Sequence, residues 1–330
     1  MLKIGTRKSA LALWQADRVQ ALLAARGVAA EILPMSTQGD RVLDRPLAEI
    51  GGKGLFVKEL EDRLLSGETD LAVHSAKDVP FALPAGLTLS SFPAREDPRD
   101  ALVAPRARDF EQLPRGARVG TSSLRRAVQL LSLRPDLVVV PVRGNVQTRL
   151  ARATGETVLR GGVQVRPADS DPLGPLDAVV LALAGLRRLG LEQHVTQVLP
   201  LEVSLPAAGQ GALAIETRTS GAGFDATLPL DDAGTARCVR AERAVLARLQ
   251  GGCTVPVAAY AVLEGDTLWL RALLGGPIEG GVSLVRAEAR GLDPEALGAG
   301  VADALLARGG APLLEAARQQ SGGLPAPKRA

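Results

Sequence analysis

Aromatic side chains make up only 2% of the 330 residues. The cores must therefore be built from Leu, Val and Ala, and there is little on which nucleobases could stack. A large charge excess is also lacking: the formal net charge is +3, too mild to indicate nucleic acid and equally suited to small acidic substrates. Cysteine and histidine number two each, Cys238 and Cys253, His74 and His194. That excludes a disulfide framework and zinc-type spacing, and no metal site is expected. No apolar run is long enough to span a bilayer. The opening MLKIGTRKSALALWQADRV has a short apolar run broken by Gln15 and Asp17, unlike an export signal. These gaps together predict a cytoplasmic protein with reduced thiols and no membrane or nucleic-acid partner. Lysine is scarce as well. Of 39 basic residues six are lysine, and Lys53, Lys58 and Lys77 fall close together.

What remains is 46% apolar, enough for two or three domains. LKIGT reads as a strand, Ser9 as the cap of a helix through ALALWQADRVQALLAARG, and AEILPMS as a second strand. GGKGLF precedes an amphipathic helix ended by Gly67, followed by the strand DLAVHSA and the turn KDVP. After REDPRDALVA the alternation restarts with ARVGTSS, LRRAVQLLSLR, DLVVVPV, NVQTRLARA and LDAVVLALAGLRRLGL. Such alternation predicts mostly parallel sheets. VLRGGVQV reads as a small hairpin within a Gly/Pro/Asp-rich insertion. LPAAGQGALAIETR reads as a strand between turns. TARCVRAERAVLARLQ is a helix stopped at Gly251-Gly252. Two antiparallel strands around Glu264-Gly265-Asp266 and a C-terminal helix complete a smaller α+β unit.

Three places invite chemistry. In VHSAKDVP, Lys77 and Asp78 project where a strand ends, which is where open α/β sheets bind ligands; Asp78 as a plain turn cap is the competing reading. In GTSSLRR, hydroxyls and backbone N–H groups converge at a helix start beside Arg125 and Arg126, an anion-binding arrangement or simply an N-cap with two solvated arginines. Arg7 and Arg143 also stand at strand ends, with Arg149 on the next helix. So many arginines in one cleft repel unless a ligand with several carboxylates supplies the counter-charge. Cys253, after two glycines in a turn, is either a reactive or modified thiol or an inert one. Cys238 lies within a helical pattern and reads as the inert kind.

Taken in order, GTRKSALALWQ, GGKGLFVKELE, VHSAKDVP, REDPRDA, GTSSLRR, RGNVQTR, AGLRRLG, LPAAGQGA, AERA and GGCTVP resemble the porphobilinogen deaminase (hydroxymethylbilane synthase) family almost end to end. The resemblance implies two α/β domains paired like the lobes of a type II periplasmic binding protein around a cleft, plus a smaller α+β C-terminal domain. It implies domain 1 over 1–96 and 210–228, domain 2 over 97–209 and domain 3 over 229–330. It also implies a dipyrromethane cofactor joined to Cys253 by a thioether, and a transferase that adds four porphobilinogens in turn, each with loss of ammonia, before releasing hydroxymethylbilane. The product would pass to uroporphyrinogen-III synthase, and the enzyme would be a monomer.

Asp78 matches the family's catalytic aspartate and also belongs with the cofactor contacts. Arg7, Ser9, Lys77, Arg143, Arg149 and Arg188 match anion contacts to substrate, and Lys53, Ser123, Arg125 and Arg126 match groups around the cofactor carboxylates. Phe56 matches a residue packed on a pyrrole face. The departure from the family pattern is the insertion at about 154–175. The rival readings are a non-enzymatic two-lobed anion-binding protein, which leaves Cys253 and the third unit unexplained, and a basic nucleic-acid-binding module.

Overall fold

A computed structural model describes residues 1–36, 57–160, 163–166, 169, 174–251 and 255–319. The chain starts with β1 (Leu2–Arg7), and the Ser9 hydroxyl then accepts from Ala12 N at 3.2 Å to begin α1 (Ala10–Ala24). β2 (Ala30–Met35), α2 (Lys58–Ser66), β3 (Leu71–Ser75) and β4 (Leu87–Ser91) follow, α2 being closed by Gly67 at φ 79°. The chain then crosses to a second unit. This comprises β5 (Asp100–Val103), β6 (Arg118–Gly120), α3 (Leu124–Leu133), β7 (Val138–Val140), α4 (Val146–Thr154), the hairpin strands β8 (Val158–Arg160) and β9 (Val163–Val165), β10 (Ala178–Ala182), α5 (Leu183–Arg188) and β11 (Gln197–Val198). It returns as β12 (Leu213–Arg218) and α6 (Ala222–Thr227). α7 (Ala233–Leu249), β13 (Val257–Glu264), β14 (Thr267–Ile278), β15 (Gly281–Gly291), α8 (Pro294–Leu305) and α9 (Ala311–Gln319) form the third unit.

The first sheet has the order β2-β1-β3-β12-β4 and the second β11-β5-β10-β6-β7. Each is mostly parallel, as the alternating elements predict, with four strands running one way and a single strand, β12 in the first and β5 in the second, running against them. In the first, β1 runs parallel to β2 and β3, but β12 is antiparallel to β3 and β4. In the second, β6 is parallel to β7 and β10, while β5 opposes β10 and β11. The lone reversed strands mark the double crossing: β5 is the first strand of the second sheet after the chain leaves β4, and β12 is the strand with which it returns to the first. DLVVVPV departs from the buried strand expected, because β7 is an edge strand and only half-buried.

Ile4, Val19, Leu23, Leu71 and Ile215 fill one core, and Leu102, Leu130, Leu137 and Val180 another. Each such fully buried aliphatic side chain contributes about 1.5–3 kcal/mol. In the third unit α7 and α8 cover one face of the β13-β14-β15 meander through Val245, Leu268, Leu270 and Val301. The VLRGGVQV hairpin forms as expected, with Val158 opposite Val165.

Both crossing segments are tied to α7. The Arg95 guanidinium donates to the two Glu242 carboxylate oxygens at 2.6 and 3.1 Å. The same carboxylate accepts from Gly209 N at 2.6 Å and Ala261 N at 2.9 Å. Glu242 is wholly buried, so this is a fully satisfied buried anion rather than an orphaned one.

Candidate active site

Parallel strands deliver the predicted residues. β3 ends in a short turn, Ala76–Asp78, which places Lys77 and Asp78 beyond its carboxyl end. β6 ends at Gly120, leading through Thr121–Ser123 into α3; a Cβ on Gly120 would stand 2.6 Å from a Leu176 methyl and 2.8 Å from a Val142 methyl, so a larger residue at this strand end would displace its neighbours. Arg7 closes β1 and Arg143 follows β7.

The hydroxyls of GTSSLRR serve the protein itself. Ser123 caps α3 by accepting from Arg126 N, Ser122 donates to Val142 O at 2.7 Å, and Thr121 accepts from Ser123 N at 3.1 Å. The arginines are neither solvated nor facing outward. Arg125 donates to Asp100 at 2.9 Å and to Leu205 O at 2.5 Å. Arg126 donates to Asp100 at 2.7 and 3.0 Å and to Val180 O at 2.9 Å. Asp100 is completely buried and also accepts from Ser204 at 2.7 Å and Gln210 at 2.8 Å. Burial alone would raise the Asp100 carboxyl, but Arg125 and Arg126 outweigh it and hold it far below the usual carboxylate range. Asp100 and Gln210 are the functional-site residues that the sequence reading missed.

Gln210, 1% exposed, joins the two units. Its Nε2 donates to Asp100 and to Pro98 O, and its Oε1 accepts from Lys77 Nζ at 3.3 Å. Burial pushes the Lys77 ammonium down to about 8; Asp78 opposes that shift and Arg126 adds to it. Arg149 donates through Nε to Gly144 O at 2.8 Å. It too is lowered by burial and by Arg126, with Asp78 opposing and Arg143 reinforcing. Lys77, Asp78, Asp100, Arg125, Arg126, Arg143 and Arg149 are thus one electrostatic cluster, built from the ends of both sheets. Among the described residues, the exposed Asp78 carboxylate and the Arg143 guanidinium take part in no hydrogen bond.

Arg188 donates to Gly211 O at 2.6 Å and lies 5.5 Å over the Trp14 ring. Burial lowers it to about 10, against the pull of Glu96. The Ser9 hydroxyl oxygen accepts the α1 cap bond. Lys53, Phe56 and Cys253 lie outside the described residues. Cys238 is buried in α7, and burial, with Glu242, pushes its thiol up to about 11, so it is the inert thiol expected.

Residues 2–225 match the family model described as "Porphobilinogen deaminase, dipyromethane cofactor binding domain", and residues 236–307 match "Porphobilinogen deaminase, C-terminal domain". A curated porphobilinogen deaminase of Syntrophotalea carbinolica is 50% identical over 323 residues, covering 96% of this chain and 95% of the relative. Among solved structures, the methionine-binding protein MetQ aligns with TM-score 0.41 and 13% identity, covering 69% of this chain and 89% of that one. A periplasmic substrate-binding protein from Coxiella burnetii aligns with TM-score 0.40 and 14% identity, covering 72% and 94%. The family models and the half-identical relative, together spanning the sheet ends, the arginine cluster and the third unit, establish that this chain belongs to the porphobilinogen deaminase family.

Proposed function

We propose that the Lys77–Asp78 turn is the reaction centre of this transferase. The activity is that of a hydroxymethylbilane synthase, joining four porphobilinogens head to tail with loss of ammonia in tetrapyrrole biosynthesis. Family membership sets aside the non-enzymatic anion-binding alternative.

One observation carries the assignment. Around Asp78 the cations Lys77, Arg125, Arg126, Arg143 and Arg149 outnumber the carboxylates Asp78 and Asp100, and Lys77 is held to about 8 by burial beside other cations. Such a site is short of anions. Porphobilinogen carries an acetate and a propionate, and a pyrrole chain built from it carries more. The dipyrromethane cofactor of the family, itself a polycarboxylate, fits the same charge deficit, with Lys53, Ser123, Arg125, Arg126 and Asp78 as its holders and Cys253 as its covalent anchor. When bound, it supplies the primer on which the chain grows. Arg7, Ser9, Lys77, Arg143, Arg149 and Arg188 then receive the incoming substrate carboxylates.

Departure of ammonia leaves the substrate pyrrole electron-poor. An uncommitted carboxylate beside it stabilises positive charge and accepts a proton from the position where the new bond forms. Asp78 is such a carboxylate, exposed at a strand end and flanked by the donors that fix the acid groups. Asp78→Ala is expected to keep the fold and nearly abolish turnover; near-normal activity would refute the role. Cys253→Ala should purify without bound pyrroles by intact mass, and a normally loaded variant would overturn the anchor.

The division into 1–96 with 210–228, 97–209 and 229–330 accords with the membership of the two five-stranded sheets and the three-stranded one. A monomer in the cytoplasm, passing its product to uroporphyrinogen-III synthase, completes this reading. No helix among the described residues is long and apolar enough to cross a membrane.

A further inference from the structure

The turn that carries Asp78 is fastened unevenly. On its upstream side Ala76 N donates to Ala212 O at 3.0 Å, within the crossing segment. On its downstream side the turn closes through Val79 N to Ala76 O at 3.4 Å, a long bond. Pro80 comes next and has no N–H to give. At Pro80 the chain beyond Asp78 can be held only through a carbonyl.

Arg243 of α7 does this. Its Nη1 donates to Val79 O at 3.1 Å, and its Nη2 donates to Pro80 O at 2.7 Å and, more weakly, to Phe81 O at 3.5 Å. The guanidinium is lowered by burial, and Glu216 only partly opposes this. Among the described residues no carboxylate forms an ion pair with Arg243, in contrast to its neighbour Glu242 with Arg95. A desolvated cation spent on three neutral carbonyls is a costly way to fill space, since an apolar side chain would pack there without the desolvation penalty. Its planar fork, however, suits carbonyls that converge from one turn. Position along the helix adds to the argument. Arg243 and Glu242 are adjacent on α7, about 100° apart around its axis, so one helix grips both the Asp78 turn and the crossing segments. The same helix ends at Leu249, and Cys253 follows four residues later in the sequence.

We propose that Arg243 is a positioning residue for Asp78, holding the segment after it so that the carboxylate keeps a fixed place relative to the helix that leads to Cys253. The inference rests on the reading of Asp78 given above.

The test uses the holoenzyme, with cofactor loading matched by intact mass. In Arg243→Met the expected result is a fall in kcat of about 10- to 100-fold, the scale on which small misplacements of a reacting group act, with KM little changed. Hydrogen exchange should quicken in the peptide spanning 76–83 and stay as in the parent elsewhere. Millimolar guanidinium, compared with sodium at equal ionic strength, should restore part of the rate. A kcat within about twofold of the parent, or a lost rate with unchanged exchange at 76–83, overturns the proposal. Should Arg243→Met not fold, Arg243→Lys, which keeps the charge but loses the fork, is put through the same exchange and rate comparison with the same deciding outcomes. Asp78→Asn separates the two levels. If it is fully active, the reading of Asp78 is wrong; if it is inactive while Arg243→Met is not, only the present inference fails.

Discussion

Lys77 and Asp100 show how individual side chains set the electrostatics of the site. With no anion bound, burial holds the Lys77 ammonium at about 8. A polycarboxylate favours the charged form, so its binding must raise that value. Affinity should accordingly be fully present below about pH 8 and decline as the pH rises through it, with proton uptake on binding in that range. Calorimetric titration with a pyrrole carboxylate in buffers of different ionisation enthalpy measures the uptake; its absence in the parent, or its persistence in Lys77→Met, would remove Lys77 from the role. Asp100 is the shared ion-pair partner of two buried arginines, so Asp100→Asn should cost about 3–5 kcal/mol in urea unfolding by leaving them unpaired. The sequence showed the arginines but not this partner. In REDPRDA, Asp100 is one acid among three, and its selection depends on β5 lying beside α3 in space. Arg7, Asp78 and Arg143 were legible because a strand end is a local property.

Elements were legible where a hydrophobic period was strong and obscure where tertiary packing replaced it. α3 carries such a period, and Ser9 and Ser123 announce the starts of α1 and α3. β15 escaped notice because one of its faces carries Arg286, Glu288 and Arg290 toward solvent and only Ala287 among them is buried. Glycines in LPAAGQGA looked like ordinary turn residues, yet Gly209 has φ +73°, and a Cβ there would meet Ala76 Cβ at 2.9 Å and Lys77 N at 3.1 Å. Gly209→Ala should therefore lose about 1–3 kcal/mol from the left-handed backbone. It should also push the Lys77–Asp78 turn out of place, so that kcat falls more than the melting temperature alone would explain. Unchanged kinetics in a well-folded Gly209→Ala enzyme would show that the close approach has no bearing on the turn.

At the scale of the molecule, Glu242 gathers Arg95, Gly209 and Ala261, that is, both crossing segments and the third sheet. Glu242→Gln keeps the shape but cannot neutralise Arg95, and about 3–5 kcal/mol of stability should go with it. If the three units then unfold in separate steps rather than together, Glu242 is what makes them cooperate; a single unchanged transition would contradict that. None of this was readable beforehand. A sequence shows that AERA lies in a helix, but not which distant loops that helix will touch.

The placement of β12 between β3 and β4 bears on how the chain is made. The second sheet uses only strands from β5 to β11 and can close as soon as that stretch has left the ribosome. The first sheet, though it begins at residue 2, lacks its inner strand until Leu213–Arg218 arrives. Domains usually fold in the order of synthesis; here the order is reversed, and the N-terminal half must wait as an incomplete sheet with β3 and β4 unpaired toward each other. Nascent chains halted before Leu213 are the ones most in need of a chaperone.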